Sequence, residues 1–277
     1  MGMNMENTQD TFSSLVNEVE SSFDFQSQIR ESSSEQTFLH LVLSPLGYES
    51  GYAYPLIVWL HGDGKNERQL VQIMPFISLQ NYISVAPRGL SLKEKKWRDI
   101  FHRSGQSTNR YMSLYNWLEE PEAIAEAEQR IFDSIRVAQQ KYHINPQKIF
   151  LAGADQGGTM ALRIAASHPD SFAGVISLDG GFPQTNQPLR CWHSIRPLRM
   201  AILKNRNNSV YTTKMAAQQL KMFHTAGMSV TIREYPNDKR FTMFSDMNHW
   251  FMTGKFPVSK QEPFRTKSAS KHQKSEL

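Results

Sequence analysis

Short runs of uninterrupted apolar residues, separated by amphipathic stretches, constrain this chain more than any other feature. Residues 55–60 (PLIVWL) and 148–152 (KIFLA) have no polar alternate face, so neither can be a strand with one side in water. Such runs read as parallel strands covered on both faces. Further strands are expected at 37–43, 82–87, 173–178, 198–203 and 229–234. Helical spacing predicts helices at 66–79, 121–142, 158–168, 209–226 and 243–254, with Pro121 suited to a first turn. Strand and helix alternating this often predict an α/β fold with three layers: a mainly parallel central sheet and helices on both faces. Ligands of such sheets bind at the carboxyl ends of the strands. The loops after LIVWL, VAP, FLAG and MAIL are therefore where a site is sought.

Charge is unevenly spread. Of the 277 residues, 31 are Lys or Arg and 26 are Asp or Glu, a net of +5. Residues 1–35 hold seven acidic residues against Arg30, and 257–277 hold five basic against two acidic. These two segments are too polar to bury enough apolar surface to offset chain entropy. The sequence thus divides into an acidic, mostly disordered head at 1–35, a folded domain at 36–256 and a basic disordered tail at 257–277. The domain carries 25 basic and 17 acidic residues. A basic stretch at 93–110, around Trp97 and Phe101, could meet nucleic acid or acidic lipid. A solvated insertion on an enzyme-like scaffold explains it more simply, and no nucleic-acid partner is expected.

No stretch approaches 18 uninterrupted apolar residues, so no transmembrane segment is expected. The single cysteine, Cys191, cannot form an internal disulfide, which fits a reducing compartment and a cytoplasmic location. His102, His193 and His224 lack metal-ligand spacing, and there is no Gly-rich phosphate loop. Neither metal nor cofactor is expected.

Two loops suggest one active site. After 55–60 comes His61-Gly62-Asp63-Gly64, and after 148–152 comes Gly153-Ala154-Asp155-Gln156-Gly157-Gly158 running into a helix. A strand, a tight turn flanked by small residues and a helix form the setting of a nucleophile elbow, centred here on Asp155. The N–H of Gln156 is left free at the helix start. A second N–H near Asp63 would complete an oxyanion hole. His61 is expected to hold its loop through ring hydrogen bonds, Asp63 to face solvent or cap a helix near Glu67, and Arg88 to anchor the loop after its strand.

On PLIVWLHGDG, ISVAPRG, INPQKIFLAGADQGGTMALRIAASHPDSFAGVISLDGG and TAGMSVTIREYP, the chain resembles the phospholipase/carboxylesterase family of the α/β-hydrolases over about residues 37–254. The resemblance implies the α/β-hydrolase fold as one domain, and an ester or thioester hydrolase with a Ser, Asp and His triad. All three triad positions are substituted. Asp155 stands at the nucleophile position, Asn208 at the acid position and Lys239 at the base position. An ionised carboxylate has no proton to give and would form an anhydride with an acyl group. A lysine of ordinary pKa, near 10.4, is no base at neutral pH. The residue types therefore predict a degenerate hydrolase that keeps a pocket for a small-molecule or acyl-type ligand or a partner. A rival stays open: ADQGG also resembles the elbow of haloalkane dehalogenases and epoxide hydrolases, in which Asp attacks carbon, and an esterase with a relocated triad is another form of it. The late histidine such an enzyme needs would be His249, which lies beyond the expected place. If the fold is kept, Asp155 and Lys239 should face each other as an ion pair within about 4 Å. Oligomeric state is left open by the sequence.

Overall fold

The strand containing PLIVWL is buried at every residue, from Tyr54 to Leu60. A computed structural model describes residues 40–94, 96–99, 115–184 and 195–257. The acidic head, the basic tail beyond Pro257, Cys191 and most of 93–110 lie outside those residues. The strands are β1 (His40–Leu43), β2 (Tyr54–Leu60), β3 (Ile83–Pro87), β4 (Leu90–Ser91), β5 (Tyr115–Asn116), β6 (Ile144–Ala154), β7 (Gly174–Leu178), β8 (Met200–Asn205) and β9 (Val230–Tyr235). The helices that pack on them are α1 (Gln69–Ile77), α2 (Pro121–Lys141), α3 (Asp155–Ser167), α4 (Thr213–Thr225) and α5 (Arg240–Thr253).

Seven strands form one sheet in the order β1-β3-β2-β6-β7-β8-β9. All neighbours are parallel except β1, which runs antiparallel to β3. The two-residue period of a strand divides the core between two faces. Leu56, Val58 and Leu60 of β2 pack in the core with α2, α3 and α4. Ile57 and Trp59 pack in the other core with α1 and α5. This is the three-layer arrangement that the apolar strands imply, since each strand face needs its own covering of helix.

The elements differ from sequence expectation mainly at their ends. Helix α3 begins at Asp155 rather than near 158, because the elbow turns directly into the first helical residue. Strand β6 starts at Ile144, with its pairing to β2 interrupted between Tyr54 and Leu56. The short pair β4–β5 has too few residues to show a period and was not expected. Trp97 is buried with Leu90, Leu92, Leu118 and Ala123, so this ring of the basic stretch supports packing and offers no exposed platform for a base.

Candidate functional site

The carboxyl ends of β2, β6, β7 and β8 converge on a cleft of about 240 Å³. Asp155 lines it where β6 passes into α3. Its φ of 50° is the left-handed backbone that a nucleophile elbow imposes. Close packing makes the turn possible. A Cβ on Gly157 would lie 2.3 Å from the His61 carbonyl oxygen, and one on Gly62 would lie 2.6 Å from Asp155 Oδ2. Gly157 cannot hold a larger residue unless the two loops separate, whereas at Gly62 the close contact is with the end of the Asp155 side chain. Gly153 lies in β6, and Gly64 turns the other loop with a φ of 66°.

His61, fully buried, ties the loops together. Its Nε2 accepts the Gly89 N–H at 3.0 Å, which leaves Nδ1 to donate to the Gly62 carbonyl at 3.0 Å. Its own carbonyl accepts the Trp117 indole N–H at 3.0 Å. Burial pushes the imidazole down to about 4, so it is neutral and structural, as its setting in the sequence suggested. Arg88 anchors its loop by a two-point pair with the buried Glu67, Nε to Oε2 being 2.6 Å, and also donates to the Tyr115 hydroxyl.

Of the two backbone N–H groups expected to form an oxyanion hole, that of Gln156 is engaged by a carboxylate of the chain itself. Gln156 N–H donates to Asp63 Oδ1 at 3.2 Å, while the Asp63 N–H favours the charged form of the Asp155 carboxyl. Asp63 therefore caps no helix near Glu67: α1 starts at Gln69, with Arg68 at its cap position and no side-chain cap bond. A short acidic side chain at this turn reaches the free N–H of α3 before it could reach α1.

Asp179, at the end of β7, is the main site residue that sequence reasoning missed. It has a φ of 58° and accepts the Asn205 N–H at 2.7 Å and the Asn205 side-chain amide. A carboxylate directly after the strand 173–178, before two glycines, was the available signal. Enclosure in the cleft, then the like charges of Asp63 and Asp179, push the Asp155 carboxyl up to about 6, while the Asp63 N–H and the charge of Arg240 act against this. Burial also raises Asp63, opposed by the Gln156 N–H.

Asn208 reaches the same cleft as Asp155. Its Oδ1 accepts the N–H groups of Val210 at 2.8 Å and Tyr211 at 2.7 Å, so it closes its own turn. Lys239 is not brought to Asp155. It ends an exposed 3-10 turn, Asn237–Lys239, and among the described residues no ion pair joins it to Asp155. The expected pair fails because the turn carries the lysine to solvent and leaves Arg240, at the start of α5, as the cation that acts on Asp155. His249 is exposed on α5, nine residues beyond Arg240 and so about 13 Å along the helix at about 1.5 Å per residue.

A wall of the cleft is apolar, formed by Phe182, Pro183, Val210, Tyr211 and Met215. Gln219 supports it by accepting the Phe182 N–H and the Tyr211 hydroxyl, each at 3.0 Å, and donating back to the Phe182 carbonyl. Among the described lining residues there is no Lys, Arg or His. No group of three or more His, Cys, Asp or Glu among the described residues is arranged to hold a metal. No helix among them is long and apolar enough to cross a membrane.

Known proteins share this architecture. The structure of SOBER1 from Arabidopsis thaliana is similar with a TM-score of 0.55 at 18% identity, covering 72% of this chain and 98% of its own. The carboxylesterase of Bacillus cereus is similar with a TM-score of 0.56 at 13% identity, over 78% of this chain and 93% of its own. At these identities the likeness establishes the fold, that of α/β-hydrolase esterases. In sequence, "Putative esterase NocK" of Nocardia uniformis subsp. tsuyamanensis is 45% identical over 47 residues, 17% of this chain and 14% of that protein's length. The family model described as Phospholipase/Carboxylesterase matches residues 49–191. That match spans more than half the chain, on a sheet and an elbow of the corresponding kind, and the chain belongs to the phospholipase/carboxylesterase family.

Proposed function

We propose that this protein is a non-hydrolytic member of its family that holds a small ligand in the cleft above Asp155. The observation that carries this reading is the engagement of the Gln156 backbone donor by the Asp63 carboxylate. Ester hydrolysis needs such donors aimed at an oxygen that gains negative charge. Here one of them is taken up by the Asp63 carboxylate, and the charges of Asp63 and Asp155 beside it would repel that oxygen. The substitutions at the triad positions act in the same direction. Asp155 has no hydroxyl to activate, Asn208 is committed to its turn, and Lys239 lies in solvent. Residues of a triad work as a unit, so restoring one should return little activity.

The rival, in which Asp155 attacks a carbon bearing a leaving group, has the elbow in its favour. Among the described residues no base for the second step acts on it: the groups acting on the Asp155 carboxyl are Asp63, Asp179 and Arg240. The deciding experiment is a turnover screen of the full chain on short acyl esters, thioesters, epoxides and haloalkanes. No turnover is expected from the wild type. A combined Asp63→Gly, Asp155→Ser, Asn208→Asp and Lys239→His variant is the one in which ester hydrolysis should first become measurable. Wild-type turnover that disappears in Asp155→Asn would overturn the reading.

A further inference from the structure

Helix α5 turns its only carboxylate away from solvent. Asp246 accepts the Arg233 guanidinium at 2.9 Å and the Tyr235 hydroxyl at 2.6 Å, and is buried. The outer side of the helix is apolar and cationic. Phe241, Ser245, His249 and Met252 fall on one exposed stripe at helical spacing, with Phe241 61% and Met252 56% exposed. Phe76 of α1 meets the Phe241 ring edge-on at 5.0 Å and widens the apolar surface. Lys239 and Arg240 stand at the start of the stripe and Lys255 just past its end, all three exposed. Among the described residues none of the three forms a salt bridge. Asp238, in the turn before the helix, is the one exposed acidic residue of 237–257.

We propose that the outer face of α5 rests on the surface of an anionic phospholipid bilayer, with Phe241 and Met252 in the headgroup layer and Lys239, Arg240 and Lys255 against the lipid anions. Single exposed apolar residues or lysines need no explanation. Here both kinds share one helix whose acid is withdrawn, which is the composition of helices that lie flat in a membrane interface. Charge selects the partner. The sequence beyond Pro257 adds five basic residues against two acidic, and Arg233 holds the Pro257 carbonyl at 2.6 Å, so this basic segment departs from the end of the same helix. Clusters of cations beside an interfacial helix are drawn to anionic lipid. Shape favours a bilayer over an acidic protein. Phe241 and Met252 lie about 16 Å apart along the helix at about 1.5 Å per residue, on a convex surface. A protein would need two matched pockets at that distance, whereas a lipid surface admits both side chains without any. The cleft takes no part, so the proposal stands whether or not the cleft holds a ligand.

The test is co-sedimentation of the full chain with vesicles of phosphatidylcholine alone and of phosphatidylcholine with about a third phosphatidylserine. The anionic vesicles should bind at least tenfold more tightly, and the preference should shrink at high salt as the charges are screened. Removing the cations in Lys239→Ser, Arg240→Ser, Lys255→Ser should weaken binding by roughly fivefold for each charge. The double variant Phe241→Ser, Met252→Ser keeps every charge and should still lose at least fivefold. Undiminished binding by that double variant would overturn the proposal, because the basic segment after Pro257 would then suffice. If the double variant does not fold, hydroxyl-radical footprinting of the wild type on anionic vesicles decides the question. Protection of Phe241 and Met252 supports the assignment, and unchanged labelling of both overturns it. Equal binding to the two kinds of vesicle, or to neither, would also overturn it. So would tighter binding of a DNA duplex that the Phe241→Ser, Met252→Ser variant retains in full, since a soluble polyanion would then be the partner.

Discussion

Asp155 and Asp179 are both held at positive φ, 50° and 58°, at the ends of the neighbouring strands β6 and β7. Residues other than glycine rarely take this backbone, and aspartate is among those that tolerate it best. The two turns bring two carboxylates to one cleft, and Asp179 contributes to the raised pKa of Asp155. Removing the Asp179 charge should therefore lower the Asp155 midpoint from about 6. Asp179→Asn is the suitable variant, because asparagine also accepts positive φ. Carboxyl-carbon NMR of Asp155 across pH 3 to 8 would measure the shift, and an unchanged or higher midpoint would contradict the coupling.

The same pKa makes a prediction for stability. The Asp155 carboxyl rises from 3.8 to about 6 on folding, so between these values the folded state binds more protons than the unfolded state. Stability from this group is present below about pH 4 and is lost as pH rises through 6. Asp155→Asn should escape that loss and be more stable than the wild type at pH 7. Because the side chain retains solvent contact, the gain is discounted to about 1 kcal/mol, or roughly 2–4 °C in melting temperature. Thermal melts of both proteins at pH 4 and pH 7 should converge at the lower pH.

Packing at the elbow sets a further expectation. A methyl group on Gly157 would meet the His61 carbonyl oxygen at 2.3 Å and the Leu60 carbonyl oxygen at 2.5 Å. These are backbone atoms and cannot swing aside. Gly157→Ala should cost about 2–3 kcal/mol through overpacking, readable in chemical denaturation. A variant as stable as the wild type would mean that the strand ends can spread.

On the opposite side of the His61 loop, Glu67 and Arg88 form a largely buried pair. Burial works against the Glu67 charge, but the Arg88 hydrogen bond prevails and holds the carboxyl below its usual range. Arg88→Ala would leave that charge unpaired and should cost about 3 kcal/mol or more. Adding Glu67→Gln should recover part of the loss, and a double variant no more stable than Arg88→Ala alone would count against the pairing.

The sequence exposes the sheet well because its strands are buried on both faces, and burial leaves a compositional trace. PLIVWL, KIFLA and AGVISL could occupy few other places. The elbow was legible for a related reason: only small residues fit where the chain packs through its backbone, so Gly153 and Gly157 mark the spot. The side-chain geometry above that backbone was less legible. Lys239 aligned with a base position, yet a single 3-10 turn takes it to solvent. Asp63 stood next to a presumed donor, but the direction of its carboxylate depends on a rotamer that no spacing records. Asp179 gains its role from Asn205, 26 residues later in the chain, a pairing created only when β7 and β8 lie side by side.

The bond from Gln156 N–H to Asp63 Oδ1 has the same donor and acceptor types that an esterase would form with the acid it releases. Here that acid is attached to the chain. A tethered group competes at an effective concentration of millimolar order or more, and it cannot diffuse away. Any free carboxylate seeking this N–H must displace a competitor whose local supply never falls. The Gln156 N–H is in this sense supplied with a carboxylate by the chain itself.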